Sequence, residues 1–512
     1  MKIKILFTLI LGVFFGGTAF AQPGIKDLSI FKKIPVLEGG RLKPLDTFAR
    51  SILTQFSGKD HYEKQEASAW LAALSFDPDS TVHEKIFLIN NPDIAVALGI
   101  TPQQDRRYTP AQLQQAYPML AQLQQAAVKI PEKDRTLAEN EIMRIFDAIN
   151  IYTNLSHRNA HNNQPDIFWN DMANSYRQGN DVAFNIAAHS YLNAVCATLS
   201  KEDLKKVDKF PLELFYQESS PFTWSIMFYI FAFIFFVVSF ASSRPLWYYL
   251  GALSVMAGFI PHLIGLIMRI IIMARPPVAS LYETFIFVGL IAVFLGLMIE
   301  YYNRQWLGIV TAAISGTALL FIANKYSAEG DTFKMLVAVL NSNFWLATHV
   351  TTITMGYAAT CVGGLLGHIW LLQAIFGKDK KTLDKTYNTT LGILGVALTL
   401  TFLGTNLGGI WADPSWGRFW GWDPKENGAL MIVLWTALLF HAKVAGMIGP
   451  LGLAVGAVIG MMVVMWAWFG VNLLSVGLHS YGFTSGVATS LIIYAAVEVI
   501  FLLATTIIIF KK

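Results

Sequence analysis

The chain has 512 residues, of which 54% are hydrophobic and 14% are charged, and its formal net charge is +4. A soluble protein of this length carries roughly a quarter charged residues, so the composition excludes an ordinary soluble enzyme and favours a membrane protein. The small net charge gives no reason to expect a nucleic-acid partner.

The first 21 residues have the features of a signal peptide. Lys2 and Lys4 precede an apolar stretch over residues 5–15, and "TAFAQP" offers a small-residue cleavage site after Ala21. This pattern predicts that the following residues are exported, with an uncleaved membrane anchor as the alternative.

Residues 22–220 are of mixed polarity and are predicted to form an extracytoplasmic, mainly helical domain. The stretch "TPAQLQQAYPMLAQLQQAAVKIPEKDRTLAENEIMRIFDAIN" combines helical periodicity with proline punctuation. Nothing in this region has the spacing of a catalytic or metal-binding motif.

Residues 221–512 are predicted to form a transmembrane domain. Runs of about 20 apolar residues, the length that crosses the hydrocarbon core as a helix, recur along it. The predicted spans are 222–241, 246–268, 281–300, 306–323, 349–373, 388–407, 428–446, 450–472 and 486–510. The predicted fold class is therefore an all-α polytopic membrane protein with about nine transmembrane helices after an exported domain.

Loop charges predict the orientation of these helices. The loop at 377–386 carries four lysines, which places it in the cytoplasm by the positive-inside rule. The loops at 325–348, 408–427 and 474–485 then face outward. Arg269 and Arg275 are exceptions, because this topology puts both near the outer face.

The outer loop at 408–427 contains the segment "WADPSWGRFWGWDPKEN", which we call the tryptophan segment. It holds four tryptophans in seventeen residues, and Pro and Gly interrupt it too often for a helix core. Trp is enriched at membrane interfaces, so an aromatic belt is one interpretation. Since the four indoles of Trp411, Trp416, Trp420 and Trp422 are concentrated in one loop, we favour a surface for a flat ligand.

Two histidines flank the tryptophan segment in sequence and lie at the same predicted depth. His349 opens the fifth span and His479 lies in the last outer loop. Two imidazoles beside an aromatic surface would suit a bis-histidine haem site, although each alone could be an ordinary interfacial histidine.

Three further histidines lie within predicted spans. His441 is about 20 Å below the outer end of its span at 1.5 Å per residue, too deep for the outer site. His262 and His368 could share the membrane with it. A second haem site is one interpretation, and single buried histidines bonded to neighbouring helices are the other.

Three arginines are candidate partners for the haem propionates. Arg418 lies in the tryptophan segment, and Arg269 and Arg275 lie on the same predicted side. Arg binds carboxylates through a bidentate fork. For Arg269 and Arg275, contact with lipid phosphates is the alternative.

The segment "WGRFWGWDPKE" resembles the WWD signature of haem-handling membrane proteins, and the order of the histidines around it matches the CcsA (ResC) branch. "RPPVASLYETF" (275–285) resembles the helix entry of that branch. "IPVLEGGRLKPLDTFAR" (34–50) resembles the region before the CcsA half in fused CcsB–CcsA synthases.

The resemblance implies a system II cytochrome c synthase subunit in the bacterial inner (cytoplasmic) membrane. His349 and His479 would be the external ligands of haem b, the tryptophan segment would hold its ring, and His441 would be an internal ligand. A CcsB/ResB-like partner is expected to supply the other internal ligand, although His262 and His368 remain open. Asp423 and Glu426 are expected to brace the loop or cap the next helix.

The reaction implied by the resemblance is attachment of haem to the C-x-x-C-H segment of an apocytochrome c, so the chain would be a haem lyase component that positions haem rather than a general acid or base. The alternative is a haem exporter or chaperone without ligation activity. A structural subunit whose aromatics only anchor it in lipid is a third possibility.

Overall fold

A computed structural model describes residues 25–131, 134–157, 164–242, 244–327, 330–336, 342–474 and 487–512. The predicted signal peptide (1–21) and His479 lie outside these residues. The chain divides into two compact units. The first comprises the described parts of Met1–Glu38, Leu42–Lys129 and Ala138–Asp208. The second comprises Gly39–Arg41, the described parts of Ile130–Leu137, and those of Lys209–Lys512.

The elements from residue 25 to residue 219 are mainly helical, as predicted. The strands are β1 (Pro35–Glu38), β2 (Arg41–Pro44), β3 (His61–Tyr62), β4 (Gln65–Glu66), β5 (Phe87–Leu88) and β6 (Arg107–Tyr108), which pair in the order β1–β2, β3–β4 and β5–β6. The helices are α1 (Leu45–Ser57), α2 (Ala67–Phe76), α3 (Pro78–Thr81), α4 (Pro92–Ala97), α5 (Pro110–Gln115), α6 (Tyr117–Val128), α7 (Leu137–Ser156), α8 (Gln164–Arg177), α9 (Asp181–Thr198), α10 (Lys201–Val207) and α11 (Phe210–Ser219). The core of the first unit is aromatic, with Phe31, Phe76, Trp169 and Phe184 in mutual contact.

In the part of the chain that the structure describes, nine helices are long and apolar enough to cross a membrane, which confirms the predicted number. They are α12 (Pro221–Ala241), α13 (Pro245–Met273), α14 (Leu281–Asn303), α15 (Leu307–Ser327), α17 (Thr351–Ile375), α18 (Lys380–Trp416), α19 (Pro424–Val444), α20 (Pro450–Trp468) and α21 (Val487–Phe510). A short helix, α16 (Asn343–Trp345), and one π-helical turn over Leu346–Val350 continue directly into α17. The chain is an all-α polytopic membrane protein.

The boundary between the two units lies earlier than the predicted one at residue 220. Helix α11 belongs to the second unit, because its buried side chains bind there. Glu213 forms a bidentate ion pair with Arg41, at 2.7 and 2.8 Å. The Tyr216 hydroxyl accepts a hydrogen bond from Arg269 at 3.1 Å. Both contacts join residues that are distant in sequence, so local composition does not reveal them.

Helices α14 and α15 pack at very short range through two glycines. A β-carbon on Gly308 would lie 2.1 Å from the carbonyl oxygen of Gly296 and 2.3 Å from the backbone nitrogen of Glu300. Small residues allow membrane helices to approach closely, and packing then replaces the hydrophobic effect as the source of association. The Glu300 carboxylate reinforces the contact by accepting a hydrogen bond from the Gly308 backbone N–H at 2.9 Å.

We expect Gly308→Ala to destabilise the protein by about 1–3 kcal/mol, because its methyl group would meet backbone atoms that cannot move independently. Thermal unfolding of the detergent-solubilised chain measures this loss. Gly395→Ala is the matched control, since a β-carbon there makes only an ordinary contact, 3.7 Å from Phe440. Equal melting temperatures for the two variants would show that the close approach does not contribute to stability.

Candidate functional site

The second unit contains a cavity of about 650 Å³, within the size range of sites that bind small molecules and cofactors. Most of its lining is apolar and aromatic. The aromatic and histidine side chains that line it include Tyr282, His349, Trp411, Trp416, Trp420 and Trp468. The cavity therefore brings His349 together with three of the four tryptophans of the tryptophan segment.

The His349 ring is oriented by one backbone carbonyl. Its Nδ1 donates a hydrogen bond to the carbonyl oxygen of Gly404 at 2.8 Å. A neutral imidazole that donates from Nδ1 carries its lone pair on Nε2. This is the common arrangement in metal-binding histidines, where a bond from one nitrogen fixes the tautomer of the ring and the other nitrogen binds the metal.

Two glycines one turn apart on α18 make this geometry possible. A β-carbon on Gly404 would lie 2.8 Å from the Cα of Ile353, and one on Gly408 would lie 2.7 Å from Cε1 of His349. The histidine ring thus occupies space that any larger residue at position 408 would fill. Trp411, almost one turn further on, meets the same ring edge-on, with the centroids 5.8 Å apart.

His349 lies in the π-helical turn Leu346–Val350, and such turns are frequent at functional sites. The sequence "THVTTIT" explains the local irregularity. Thr348, Thr351, Thr352 and Thr354 each donate a side-chain hydrogen bond to the carbonyl four residues earlier. Such bonds compete with the backbone ladder and bend helices.

The tryptophan segment is more helical than predicted, so the predicted loop boundaries of 408–427 need correction. Helix α18 continues through Trp416 despite Pro414, and α19 begins at Pro424, which leaves residues 417–423 between them. Pro414 lies in the last turn, so its missing N–H removes a single hydrogen bond, to the carbonyl of Ile410, close to where the helix ends. Gly417, with a φ of 71°, ends the helix in the left-handed conformation common at this position.

The fourth tryptophan lies apart from the other three. Trp422 is 70% exposed, is not among the residues that line the cavity, and has a positive φ of 58°. Its ring contacts Trp420 edge-on at 6.0 Å. Two aromatic neighbours of the site are not among the residues predicted from the sequence: Trp345, which stacks on Trp411 at 6.2 Å, and Phe419, which lines the cavity. Since Trp345 is distant from the tryptophan segment in sequence, no local signal marks it.

Asp423 and Glu426 form a capping box at the start of α19, as predicted. The Asp423 carboxylate accepts from the Lys425 backbone N–H at 2.9 Å, and Glu426 accepts from the backbone N–H groups of Gly421 and Asp423 at 2.8 and 3.1 Å. Lys425, which is not among the predicted site residues, donates from Nζ to the carbonyl oxygen of Trp468 at 2.7 Å. These bonds fix the conformation of residues 421–426.

The two arginines that break the positive-inside pattern have a partner within the chain. Glu283 accepts a hydrogen bond from Arg269 at 3.0 Å and from Arg275 at 2.7 Å. All three side chains are buried, and neither arginine lines the cavity. Haem propionates or lipid phosphates were the predicted partners of these two arginines. Within the structure, their acidic partner is Glu283. Arg418 is also outside the lining, with its guanidinium against Gly421.

The three other histidines of the predicted spans, His262, His368 and His441, do not line this cavity. His441 lies near the far end of α19 and is exposed, and its Nδ1 donates to Ala437 at 2.8 Å. His262 is fully buried, with Nδ1 bonded to the Tyr229 hydroxyl and Nε2 to the carbonyl of Ile286. His368 binds Gly364 through Nδ1 and Glu498 through Nε2. In this structure both ring nitrogens of His262 and of His368 have partners.

Residues 278–479 match the cytochrome c assembly protein family. This range includes His349, the tryptophan segment and His441, and it ends at His479. Over this range the chain is similar to CcsA-type cytochrome c biogenesis proteins.

Similar curated proteins include NrfI of Wolinella succinogenes, 26% identical over 489 residues, which cover 86% of this chain and 53% of NrfI. The CcsA protein of Chlamydomonas reinhardtii is 33% identical over 40% of this chain and 61% of its own length. The CcsA protein of Populus trichocarpa is 29% identical over 42% of this chain and 81% of its own length. The chain therefore spans about half the length of NrfI. The similarity to NrfI also extends well beyond the part that matches the family.

We expect Glu283→Gln to destabilise the protein by about 3–5 kcal/mol, because it leaves two buried guanidinium groups without their shared counter-charge. The yield of monodisperse protein and its melting temperature in detergent measure the loss. Glu202→Gln, on an exposed position of α10, is the control for removing one carboxylate. A melting temperature equal to that of the control would show that Arg269 and Arg275 do not depend on Glu283.

Proposed function

We propose that the cavity beside the tryptophan segment binds haem b as the substrate of cytochrome c maturation, with His349 as an axial ligand of its iron. The observation that carries this proposal is the hydrogen bond from Nδ1 of His349 to Gly404, which leaves the lone pair on Nε2. The volume of about 650 Å³ and the indoles around it suit a flat, largely apolar ligand.

Trp411, Trp416 and Trp420 are the proposed contacts of the porphyrin ring, since all three line the cavity. Asp423 acts indirectly, because its capping interaction fixes the loop that carries Trp420. Trp422 has a different proposed role, as an exposed residue at the edge of the site. Arg275 and Arg418 do not line the cavity, and the burial of Arg275 against Glu283 argues against direct contact with haem.

His479 is the proposed second external ligand. It lies outside the described residues, so this assignment rests on its place in sequence between the last two spans. His441 is the proposed internal ligand. Its exposed ring near the far end of α19 favours a site completed by a second protein, for which we propose a CcsB/ResB-like subunit. Helix α19 extends about 25 Å from Pro424 to His441 at 1.5 Å per residue, which separates the two sites.

The proposed reaction joins haem to a C-x-x-C-H segment of apocytochrome c. Each cysteine thiol adds across one vinyl group, so that a carbon–sulfur bond forms and the thiol proton goes to the other vinyl carbon, with no net oxidation. The contribution of this chain is to hold the ring and orient the vinyl groups. The proposed location is the bacterial inner membrane, with residues 22–220 and the tryptophan segment on the extracytoplasmic side.

We expect His349→Ala to abolish the low-spin haem spectrum of the purified protein, because the substitution removes an axial nitrogen from the cavity. Absorption spectroscopy after haem addition measures this. His189→Ala is the matched control, since His189 is exposed on α9 in the first unit. An unchanged spectrum in His349→Ala would refute the ligand assignment.

We expect the chain, reconstituted with a CcsB-like subunit, to convert a reduced C-x-x-C-H apocytochrome to a covalent haem protein. Haem-stained denaturing gels detect the covalent product. An apocytochrome with both cysteines changed to serine is the control and should give none. Haem binding without covalent product would instead support an exporter or chaperone, and no haem binding by the chain would refute both functions.

A further inference from the structure

One wall of the cavity is the short segment Asp331–Lys334, which follows helix α15. Asp331, Thr332 and Lys334 all line the cavity. Phe333 between them points the other way and is only 1% exposed. Its ring lies between two guanidinium groups, with Cζ of Arg269 at 4.1 Å and Cζ of Arg41 at 5.0 Å from its centroid.

Three buried arginines contact this segment, two of them through its backbone. Arg269 donates to the Thr332 carbonyl at 2.7 Å and to its hydroxyl at 3.0 Å. Arg275 donates to the Lys334 carbonyl at 3.0 Å. Arg41, from the "GGR" sequence, lies 3.7 Å from the Asp331 carboxylate. The backbone of Lys334 is thus held by charge-assisted hydrogen bonds at its own carbonyl and at Thr332.

The charges of the three arginines are balanced inside the protein. Glu283 binds Arg269 and Arg275, and Glu213 and Asp331 pair with Arg41. Three guanidinium groups therefore face three carboxylates. Buried ion pairs that are satisfied in this way have little to gain from a further anion, so none of these arginines is a good partner for the carboxylate of a ligand.

The other charged side chains of the cavity lining also bind within the protein. Glu426 accepts from backbone N–H groups of the loop before α19, and Lys425 donates to carbonyl oxygens at the end of α20. Lys334 differs from them. Its side chain is exposed, and within the described ranges its ammonium group has no hydrogen bond or ion pair.

We propose that Lys334 binds a carboxylate of the tetrapyrrole in this cavity, and that Arg41, Arg269 and Arg275 are positioning residues that hold the segment carrying it. This inference rests on the proposed function, because it assumes that the ligand is a porphyrin dicarboxylate. It assigns the recognition of a propionate to a lysine that the sequence motifs do not include. It also gives the "GGR" sequence a role in the geometry of the cavity.

The test compares iron protoporphyrin IX with its dimethyl ester, in which both propionates are neutral methyl esters. Both are titrated into the full chain in an uncharged detergent, where lipid phosphates cannot replace the carboxylates. We expect Lys334→Gln to weaken binding of the diacid about fivefold, the upper end for a partly exposed ion pair, and to leave binding of the ester unchanged. Lys334→Arg should retain the preference for the diacid.

Lys325→Gln is the matched control, since Lys325 is an exposed lysine near the end of α15 that does not line the cavity. Unchanged binding of the diacid in Lys334→Gln would overturn the proposal. Equal weakening of both ligands would also overturn it, because a lysine with only a structural role affects them alike. Failure of the unmodified chain to bind either ligand would instead overturn the proposed function, and this inference with it.

Discussion

The hydrogen bond from His349 to Gly404 is the interaction on which the site depends, and it exists only because α17 and α18 are almost in backbone contact. Gly404 and Gly408 permit this contact because neither has a side chain that would separate α18 from Ile353 and His349. Where the hydrophobic effect cannot drive helices together, the energy of such contacts comes from dispersion and from hydrogen bonds across the interface. The packing that stabilises the helix pair and the geometry that orients the histidine are therefore the same feature.

A second constraint is the neutralisation of buried charge around Glu283. Arg269 is fully buried and Arg275 nearly so, and isolated charges in such surroundings cost several kcal/mol each. Glu283 compensates both and also accepts from the backbone N–H of Ala279 at 2.9 Å. The Glu283 carboxylate thus bonds to the backbone just before α14 and to the arginines at the end of α13. Through these arginines it is also connected to the segment at 331–334.

The nine spans and the helical first unit were predictable from the sequence, because apolar length and residue type are local properties. The clustering of His349 with Trp411, Trp416 and Trp420 followed instead from the predicted topology, which placed them at the same depth. The true end of α18 was harder to predict, since Pro414 suggests an earlier break than the one made by Gly417. The role of Glu283 could not be predicted. Its partners lie 8 and 14 residues away on another helix and loop, and only the folded helix pair brings them together.

The tryptophan segment is not a single flat surface, and the positions of its residues explain why. Trp411 and Trp416 are on the last turns of α18, whereas Trp420 belongs to the loop whose conformation depends on the capping box at Asp423 and Glu426. The indoles of the cavity therefore come from two elements whose spacing is set by the bond between Lys425 and the end of α20. A motif that is contiguous in sequence is thus connected through Lys425 to a third helix, which also contributes Trp468 to the cavity lining.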